Sequence, residues 1–222
     1  MKRLVILGGP GDGAIVAAAA LAATEAGAPY VPVGYLNDGV ARGEIIHGLP
    51  VLGRFEDWST LPDDTIFIAA VHKVGEMAVR SARIKSLGIP RERWGSVLHP
   101  QSFVASDVRL GCGVFVASFV TIQPGARIDD FACIRSGAHL SHDTVVGAFA
   151  FIGSNASLAG RSSVAECAHI GSNASIREHL TVGAFAIVGL GAVVINPVDA
   201  HHVVVGNPAR PLHPRDFGVS RA

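Results

Sequence analysis

The sequence predicts an α/β domain followed by a parallel β-helix, and two observations support this fold class. Before residue 98, short apolar runs alternate with helix-forming runs. In residues 104–199, an aliphatic residue returns at every sixth position, and all sixteen of these positions are Val, Ile or Leu. We therefore predict domains at residues 1–97 and 98–222, the second ending in a short tail.

The first domain begins with an apolar run, a glycine-rich loop and an Ala-rich run, at residues 4–7, 8–13 and 14–26. This order predicts a buried strand, a tight loop and a helix. Two further strands and one further helix are predicted at residues 30–35, 64–71 and 75–87. Alternating strands and helices predict a small, parallel, Rossmann-like sheet, whose ligands lie beyond the carboxyl ends of its strands.

That edge of the sheet brings together the glycine loop, a polar pair after the second strand and a histidine after the last. The residues are Gly8, Gly9, Gly11, Asn37, Asp38 and His72. The loop could offer backbone N–H groups and a helix N-terminus to a phosphate. Its spacing is not GxGxxG, and Asp12 would repel a phosphate unless it points away or accepts a hydrogen bond. A tight turn without a ligand is the alternative.

A hexapeptide repeat predicts a coil of three short strands and three corners, so that residues 18 apart stack on successive coils. The aliphatic anchor and a small residue four positions later point inward. Glycine and asparagine are frequent at the bends, where positive φ is expected. These bend residues include Gly147, Gly153, Asn155, Gly171, Asn173 and Gly183. A β-rich domain with a chance period is the alternative.

Composition excludes several classes of function. Charged residues are 16% of the chain and cancel to a net charge of zero, which argues against nucleic-acid binding. Three cysteines, Cys112, Cys133 and Cys167, have no CxxC spacing and predict buried thiols in a reducing compartment. No signal peptide is recognised and no run is long enough to span a bilayer, so we expect a cytoplasmic protein.

Ten histidines are candidates for proton transfer, and His142 differs from the others because Asp143 follows it at a hexad corner. A carboxylate beside a histidine can fix its tautomer and raise its basicity. A surface pair without function is the alternative. His139, His169 and His179 occupy positions in the repeat that do not stack, so no metal site is expected.

Six segments spread over nearly the whole chain carry a resemblance, at residues 7–13, 34–38, 48–53, 98–100, 141–143 and 205–210. In these segments the chain resembles the PglD/PerB/NeuD-like family of left-handed β-helix sugar acetyltransferases. The resemblance implies N-acetylation, by acetyl-CoA, of the amino group of a nucleotide-linked amino-deoxysugar for a surface glycan. O-acetylation of a sialic-acid-type sugar and a non-catalytic scaffold or sugar-nucleotide sensor are the alternatives.

The resemblance also implies roles for residues. His142 would be the general base of a direct transfer, with Asp143 as its partner, and backbone N–H groups would stabilise the oxyanion. It implies a homotrimer with active sites between neighbouring solenoids and a nucleotide-sugar held by the N-terminal domain. For acetyl-CoA, it implies contacts with Gly160, Gly189, Gly191, Pro208 and Arg210, although repeat corners alone would explain the glycines.

Four positions depart from the family pattern. The segment Ala70-Val71-His72-Lys73 stands where members commonly have an Ile-Gly-Asn-type segment. Asp12-Gly13 stands where members commonly have Gly-His, Phe151 where one member has a histidine, and Arg135 where an asparagine lines the site. An arginine at that position could grip a phosphate or carboxylate. The sugar and the base of the nucleotide are therefore left open.

Overall fold

The structure is a computed structural model that describes residues 1–212, so the predicted tail from residue 213 onward lies outside the described residues. The N-terminal unit has two helices, α1 (Asp12–Glu25) and α2 (Met77–Ser86). Its strands are β1 (Lys2–Gly8), β2 (Tyr30–Leu36), β3 (Ile45–Ile46), β4 (Leu49–Gly53) and β5 (Thr65–Ala70). Short 3-10 helices occupy Phe55–Thr60 and Arg91–Arg93.

The five strands form one sheet in the order β3-β4-β2-β1-β5. The pairs of β1 with β2, β1 with β5 and β2 with β4 are parallel, and β3 with β4 is antiparallel. Strand β1 lies between β2 and β5, and its apolar run is buried on both faces. Gly8 allows β1 to lie against β5, since a Cβ at Gly8 would be 2.8 Å from the carbonyl oxygen of Ala70.

Nineteen short strands follow, most of them two residues long. They are β6 (Val97–Leu98), β7 (Phe103–Val104), β8 (Arg109–Leu110), β9 (Phe115–Val116), β10 (Thr121–Ile122), β11 (Arg127–Ile128), β12 (Cys133–Ile134), β13 (His139–Leu140), β14 (Val145–Val146), β15 (Phe151–Ile152), β16 (Ser157–Leu158), β17 (Ser163–Val164), β18 (His169–Ile170), β19 (Ser175–Ile176), β20 (Thr181–Val182), β21 (Ile187–Val188), β22 (Val193–Val194), β23 (Val203–Val205) and β24 (Arg210–Leu212).

These strands form three sheets, with six, five and eight members. Within each sheet, strands one coil apart pair in parallel with an offset of 18 residues, as in Thr121 with His139. In these three sheets, within residues 1–212, β24 is the one strand that runs antiparallel to its neighbour. The pattern confirms the predicted β-helix and fits a left-handed coil. Strand β6 already belongs to the eight-stranded sheet, and the domain boundary at residue 98 stays a prediction.

The interior of the β-helix is a continuous column of aliphatic anchors and small residues, nearly all fully buried. Narrow coils bury this column because successive anchors stack directly on one another. The prediction of positive φ at the bends is right for Asn155 and Asn173 and wrong for the four glycines named with them. Those glycines are needed for close stacking of coils: a Cβ at Gly153 would lie 2.5 Å from the backbone nitrogen of Ser172.

The N-terminal unit packs on the outside of the eight-stranded sheet and on the corner before it. Helix α1 shares a cluster with the outward side chains of Phe115 and Cys133. On the adjoining corner, Phe131 stacks on Phe149 with ring centroids 4.5 Å apart, and Trp94 meets Phe131 edge-on. Aromatic contacts of this geometry stabilise an interface beyond their buried area. Tight packing of the two units fixes the edge of the sheet relative to the coils.

Candidate active site

His142 and Asp143 lie at the corner that follows β13. The backbone N–H of Asp143 donates to the carbonyl of Pro124 on the coil below, 3.0 Å away, and its φ is +57°. This left-handed corner leaves both side chains exposed. The Nδ1 atom of His142 is 2.9 Å from Oδ2 of Asp143. With the carboxylate accepting from Nδ1–H, Nε2 has a free lone pair and can accept a proton.

The charge state of Asp143 suits this role. The hydrogen bond from His142, together with smaller contributions from the charges of His142 and Arg161, holds the pKa of the Asp143 carboxyl below its usual range. The carboxylate is therefore ionised near neutral pH and could stabilise an imidazolium at His142.

Gly160 lies beside the reactive face of the pair. A Cβ at this position would be 2.5 Å from Nε2 of His142 and 2.9 Å from Cε1, so the ring occupies the space that a side chain would fill. The N–H of Gly160 donates no hydrogen bond within residues 1–212. The predicted stacking of Gly160 above His142 is therefore observed, and the structure adds a second role, which is to make room for the ring.

Arg161 is next to the pair, and sequence reasoning missed it. Its Nε is 3.7 Å from Oδ2 of Asp143, and its backbone N–H donates to the carbonyl of His142 over 3.0 Å. The signal was present in the sequence, because 161 is 143 plus the coil length of 18. Nothing else in the sequence distinguishes this arginine from the other charged residues at corners.

The corner of His142 continues along the solenoid to a cleft at its far end. Asn196 stacks three coils from His142, which at about 4.8 Å per coil places it about 14 Å away. A cleft of about 330 Å³ opens there between Asn196, Pro197 and Arg210. The side chain of Arg210 is exposed, and among the described residues it donates a hydrogen bond only to the neighbouring carbonyl of Ala209.

The other predicted acetyl-CoA residues lie elsewhere. Gly189 and Gly191 flank the corner after β21, which strand β22 separates from the corner of Asn196. Pro208 is exposed in the turn between β23 and β24. The structure thus places Gly160 next to His142, and it places Arg210 beside the same line of corners. Within one chain, Gly189 and Gly191 lie on a neighbouring corner.

A second cleft, of about 350 Å³, opens at the carboxyl ends of β1, β2 and β5. Gly8, Gly9 and Asn37 line it, as predicted from their positions after the strands. The side-chain amide of Asn37 donates to the carbonyl of Gly8 over 2.8 Å, so it ties β2 to the glycine loop. Gly11 lies in the same loop but does not line the cleft.

Asp38 lies at the rim, where it is used within the chain. Its Oδ1 accepts from the backbone N–H of Phe55 over 2.9 Å, and its Oδ2 is 3.2 Å from Nη2 of Arg83. Arg83 also bonds Glu56. Asp38 therefore clamps the segment after β4 to helix α2, which shapes one wall of the cleft.

Two arginines on that wall, Arg80 and Arg83, were missed by sequence reasoning. They are three residues apart on α2 and hence on one face of the helix. Arg80 is held by Glu76, with Nε 2.9 Å from Oε2, and by the carbonyl of Val71. Their spacing could have identified them, but a pair of helix arginines is common on any surface.

Asp12 points away from the cleft and toward the β-helix. Nη1 of Arg135 donates to Oδ1 of Asp12 over 2.9 Å, and the two side chains are 13% and 31% exposed. The guanidinium lies 5.9 Å from the ring centroid of Phe151. The carboxylate that Arg135 binds thus belongs to the chain itself. Two of the departures from the family pattern, Asp12 and Arg135, form one partly buried ion pair.

His72 does not line the cleft either. Its Nε2 is buried without a hydrogen-bond partner among the described residues, and its ring is 5.9 Å from that of Phe151. Phe151 stacks on His169 at 4.6 Å. Burial, with smaller contributions from His169 and Arg135, lowers the pKa of His72 to about 4, and burial lowers that of His169 to about 4. Both rings are therefore neutral at pH 7.

Within the described part of the chain, no group of three or more His, Cys, Asp or Glu side chains could hold a metal ion. Nor does any helix in residues 1–212 have the length and apolar character needed to cross a membrane.

The chain is similar to solved acetyltransferases over almost its whole length. It is 28% identical to the acetyltransferase domain of PglB from Neisseria gonorrhoeae, solved with acetyl coenzyme A, covering 95% of this chain and 99% of that one with a TM-score of 0.83. It is 28% identical to PerB from Caulobacter crescentus, solved with CoA and GDP-perosamine, covering 96% and 98% with a TM-score of 0.84.

WeeI from Acinetobacter baumannii is 23% identical, with a TM-score of 0.61 over 96% of this chain and 100% of that one, which bears on the fold alone. No protein-family model and no curated protein sequence matches the chain.

Proposed function

We propose that the chain transfers the acetyl group of acetyl-CoA to the amino group of a nucleotide-linked amino-deoxysugar. The proposal follows from its membership of the hexapeptide-repeat sugar acetyltransferases. The observation that carries the proposal is the His142–Asp143 pair in a chain that matches PerB over 96% of its length. The Nε2 atom of His142 lies beside Gly160 and makes no hydrogen bond within residues 1–212. We expect the product to enter a surface glycan and the reaction to take place in the cytoplasm.

His142 acts as the general base. Its Nε2 removes a proton from the sugar amine as the nitrogen attacks the thioester carbonyl, and Asp143 stabilises the resulting imidazolium. The unused N–H of Gly160 is available to the oxyanion of the tetrahedral intermediate. The carbon–sulfur bond then breaks and the proton held by His142 is available to the leaving thiolate, so no acyl-enzyme is needed.

Acetyl-CoA extends along the line of corners from His142 to the cleft beside Arg210. The cationic Arg210 is exposed there and can meet a CoA phosphate. Gly189, Gly191 and Pro208 reach the same molecule only from a neighbouring corner. This separation supports a homotrimer in which a second copy supplies that corner and closes the site between two solenoids.

The nucleotide-sugar binds at the cleft of the N-terminal unit. Parallel strands with helices between them support the Rossmann-like domain expected from the sequence, and Gly8, Gly9 and Asn37 line the cleft. Because Asp12 is turned toward Arg135, its charge does not face the cleft. Asp38 supports the rim through its contacts with Phe55 and Arg83, whereas Gly11, His72 and Arg135 do not line the cleft.

The test is release of CoA thiol from acetyl-CoA with a panel of 3-amino and 4-amino nucleotide-sugars and sialic acid. We expect turnover with an amino sugar, and a loss of about 10²–10⁴ in kcat for His142→Ala. His139→Ala, at a histidine outside the pair, is the matched control and keeps its activity.

Two other outcomes would contradict the proposal. Turnover with sialic acid alone assigns the protein to sugar O-acetylation. If no acceptor in the panel is used while CoA still binds, the scaffold or sugar-nucleotide sensor is favoured.

A further inference from the structure

Arg161 occupies the coil directly above the His142–Asp143 pair and contacts both residues. Its backbone N–H donates to the carbonyl of His142 over 3.0 Å, and its Nε is 3.7 Å from Oδ2 of Asp143. The same Oδ2 is 2.9 Å from Nδ1 of His142. One carboxylate oxygen is therefore approached from two sides, by the ring on its own coil and by the guanidinium above.

We propose that Arg161 is a positioning residue that acts through Asp143: it holds the carboxylate in the rotamer that orients the His142 ring. The inference rests on the proposed function, because it concerns the base of that reaction. The side chain of Asp143 is 51% exposed. An exposed carboxylate with a single partner samples other rotamers, and each departure releases the ring.

The backbone of the solenoid brings the side chains of Arg161 and Asp143 together. Arg161 follows Asp143 by one coil and shares its left-handed corner, with φ of +59° and +57°. Their side chains consequently leave the solenoid in parallel, one coil apart. Gly160 completes the arrangement, because the ring lies in the space that Gly160 leaves empty. Gly160 sets where the ring lies, and Arg161 sets which way it is turned.

The charges along this column fit the same role. Three coils below Arg161, Asp107 accepts a hydrogen bond from the backbone N–H of Gly125, with Oδ2 2.9 Å from that nitrogen. One coil above Arg161 the column continues with His179, next to Glu178. Arg161 is thus the arginine that meets Asp143, and its charge contributes to the lowered pKa of the Asp143 carboxyl.

The first experiment measures kcat and KM for acetyl-CoA in Arg161→Ala and Arg161→Lys. We expect a three- to tenfold loss of kcat in Arg161→Ala with KM within twofold, and partial recovery in Arg161→Lys. Arg127→Ala is the matched control, because Arg127 is equally exposed and lies 3.5 Å from Asp129, away from the His142–Asp143 pair. A raised KM with unchanged kcat would instead assign Arg161 to binding of CoA and overturn the inference.

A double-mutant cycle tests the route through Asp143. If Arg161 acts by holding that carboxylate, Asp143→Asn combined with Arg161→Ala is no slower than Asp143→Asn alone. Additive losses in kcat would mean that Arg161 acts independently, and the inference would be wrong.

A third measurement does not require turnover, so it separates failure of this inference from failure of the proposed function. Carboxyl ¹³C NMR titration follows the pKa of Asp143, which should rise in Arg161→Ala because a neighbouring positive charge is lost. An identical titration in the wild type and the variant would show that the two side chains do not interact.

Discussion

Gly160 faces the ring of His142 so closely that an added methyl group must move one of them. In Gly160→Ala the new Cβ would lie 2.5 Å from Nε2. Displacement of a base by about 1 Å is enough to lower kcat by about 10²-fold. We expect this loss with little change in thermal stability, because the exposed ring can turn outward, and it is measured by thiol release beside a melting curve.

Gly147→Ala is the control for this prediction. Gly147 is also a corner glycine, and its Cβ would lie 2.7 Å from the backbone nitrogen of Glu166. That clash is with backbone, so this variant loses stability while the folded protein keeps its kcat. Equal losses of kcat in both variants would mean that Gly160 acts only through the fold.

Sequence reasoning could find His142 and Asp143 because the two are adjacent in the chain and differ in chemistry from their neighbours. It could find Gly160 because the period of 18 is visible in the anchors. Arg161 follows from the same period but was missed, since an exposed arginine has no signal until its distance from Asp143 is known.

At the scale of elements, the Asp12–Arg135 pair joins the start of α1 to the end of β12. Removing Arg135 leaves a carboxylate that is only 31% exposed without its partner, and we expect Arg135→Ala to destabilise the fold by about 1–3 kcal/mol, less than for a fully buried pair. The double variant with Asp12→Ala recovers much of that loss. Urea unfolding of the two single variants and the double variant measures the coupling.

A conservative variant provides the control for this pair. Arg135→Lys keeps a positive charge at the same position and should lie between the wild type and Arg135→Ala in stability. If the double variant is as unstable as the sum of the singles, the ion pair does not link α1 to the β-helix.

The elements themselves were largely predictable, and the failures have physical causes. Every anchor is the second residue of a short strand, and all are buried except Val104 and Leu110, which are partly buried, because a repeat of six permits only one inward register. The hairpin of β3 and β4 and the 3-10 helix at Phe55–Thr60 were missed, since they are short and have no sustained periodicity. The Asp12–Arg135 contact spans 123 residues, and only the packing of the two units reveals it.

For the molecule as a whole, neutral histidines at the junction of the two units make stability depend on pH. His72 and His169 have pKa values lowered to about 4 in the folded state, against about 6.5 when unfolded. Between these values the unfolded chain binds more protons, so stability falls as the pH is lowered from about 6.5 toward 4. The expected slope is about 1.4 kcal/mol per pH unit for each histidine.

Unfolding in urea at several pH values between 4 and 7.5 measures this slope. His169→Gln should reduce it by about one proton, while His47→Gln, at an exposed histidine of the N-terminal unit, should leave it unchanged. A wild-type stability that is flat across this range would contradict neutral histidines at the junction.

The 18-residue coil also fixes the spacing between positions along the solenoid. The distance from His142 to Asn196, beside the terminal cleft, changes in steps of one coil, about 4.8 Å, because a loss or gain of hexads other than a multiple of 18 residues turns one of the two corners to another face. Under the proposed function, in which acetyl-CoA extends along this line of corners, a related chain with a shorter or longer thioester carrier is expected to have fewer or more whole coils. The number of hexads between the histidine and the terminal cleft would then indicate the length of the carrier.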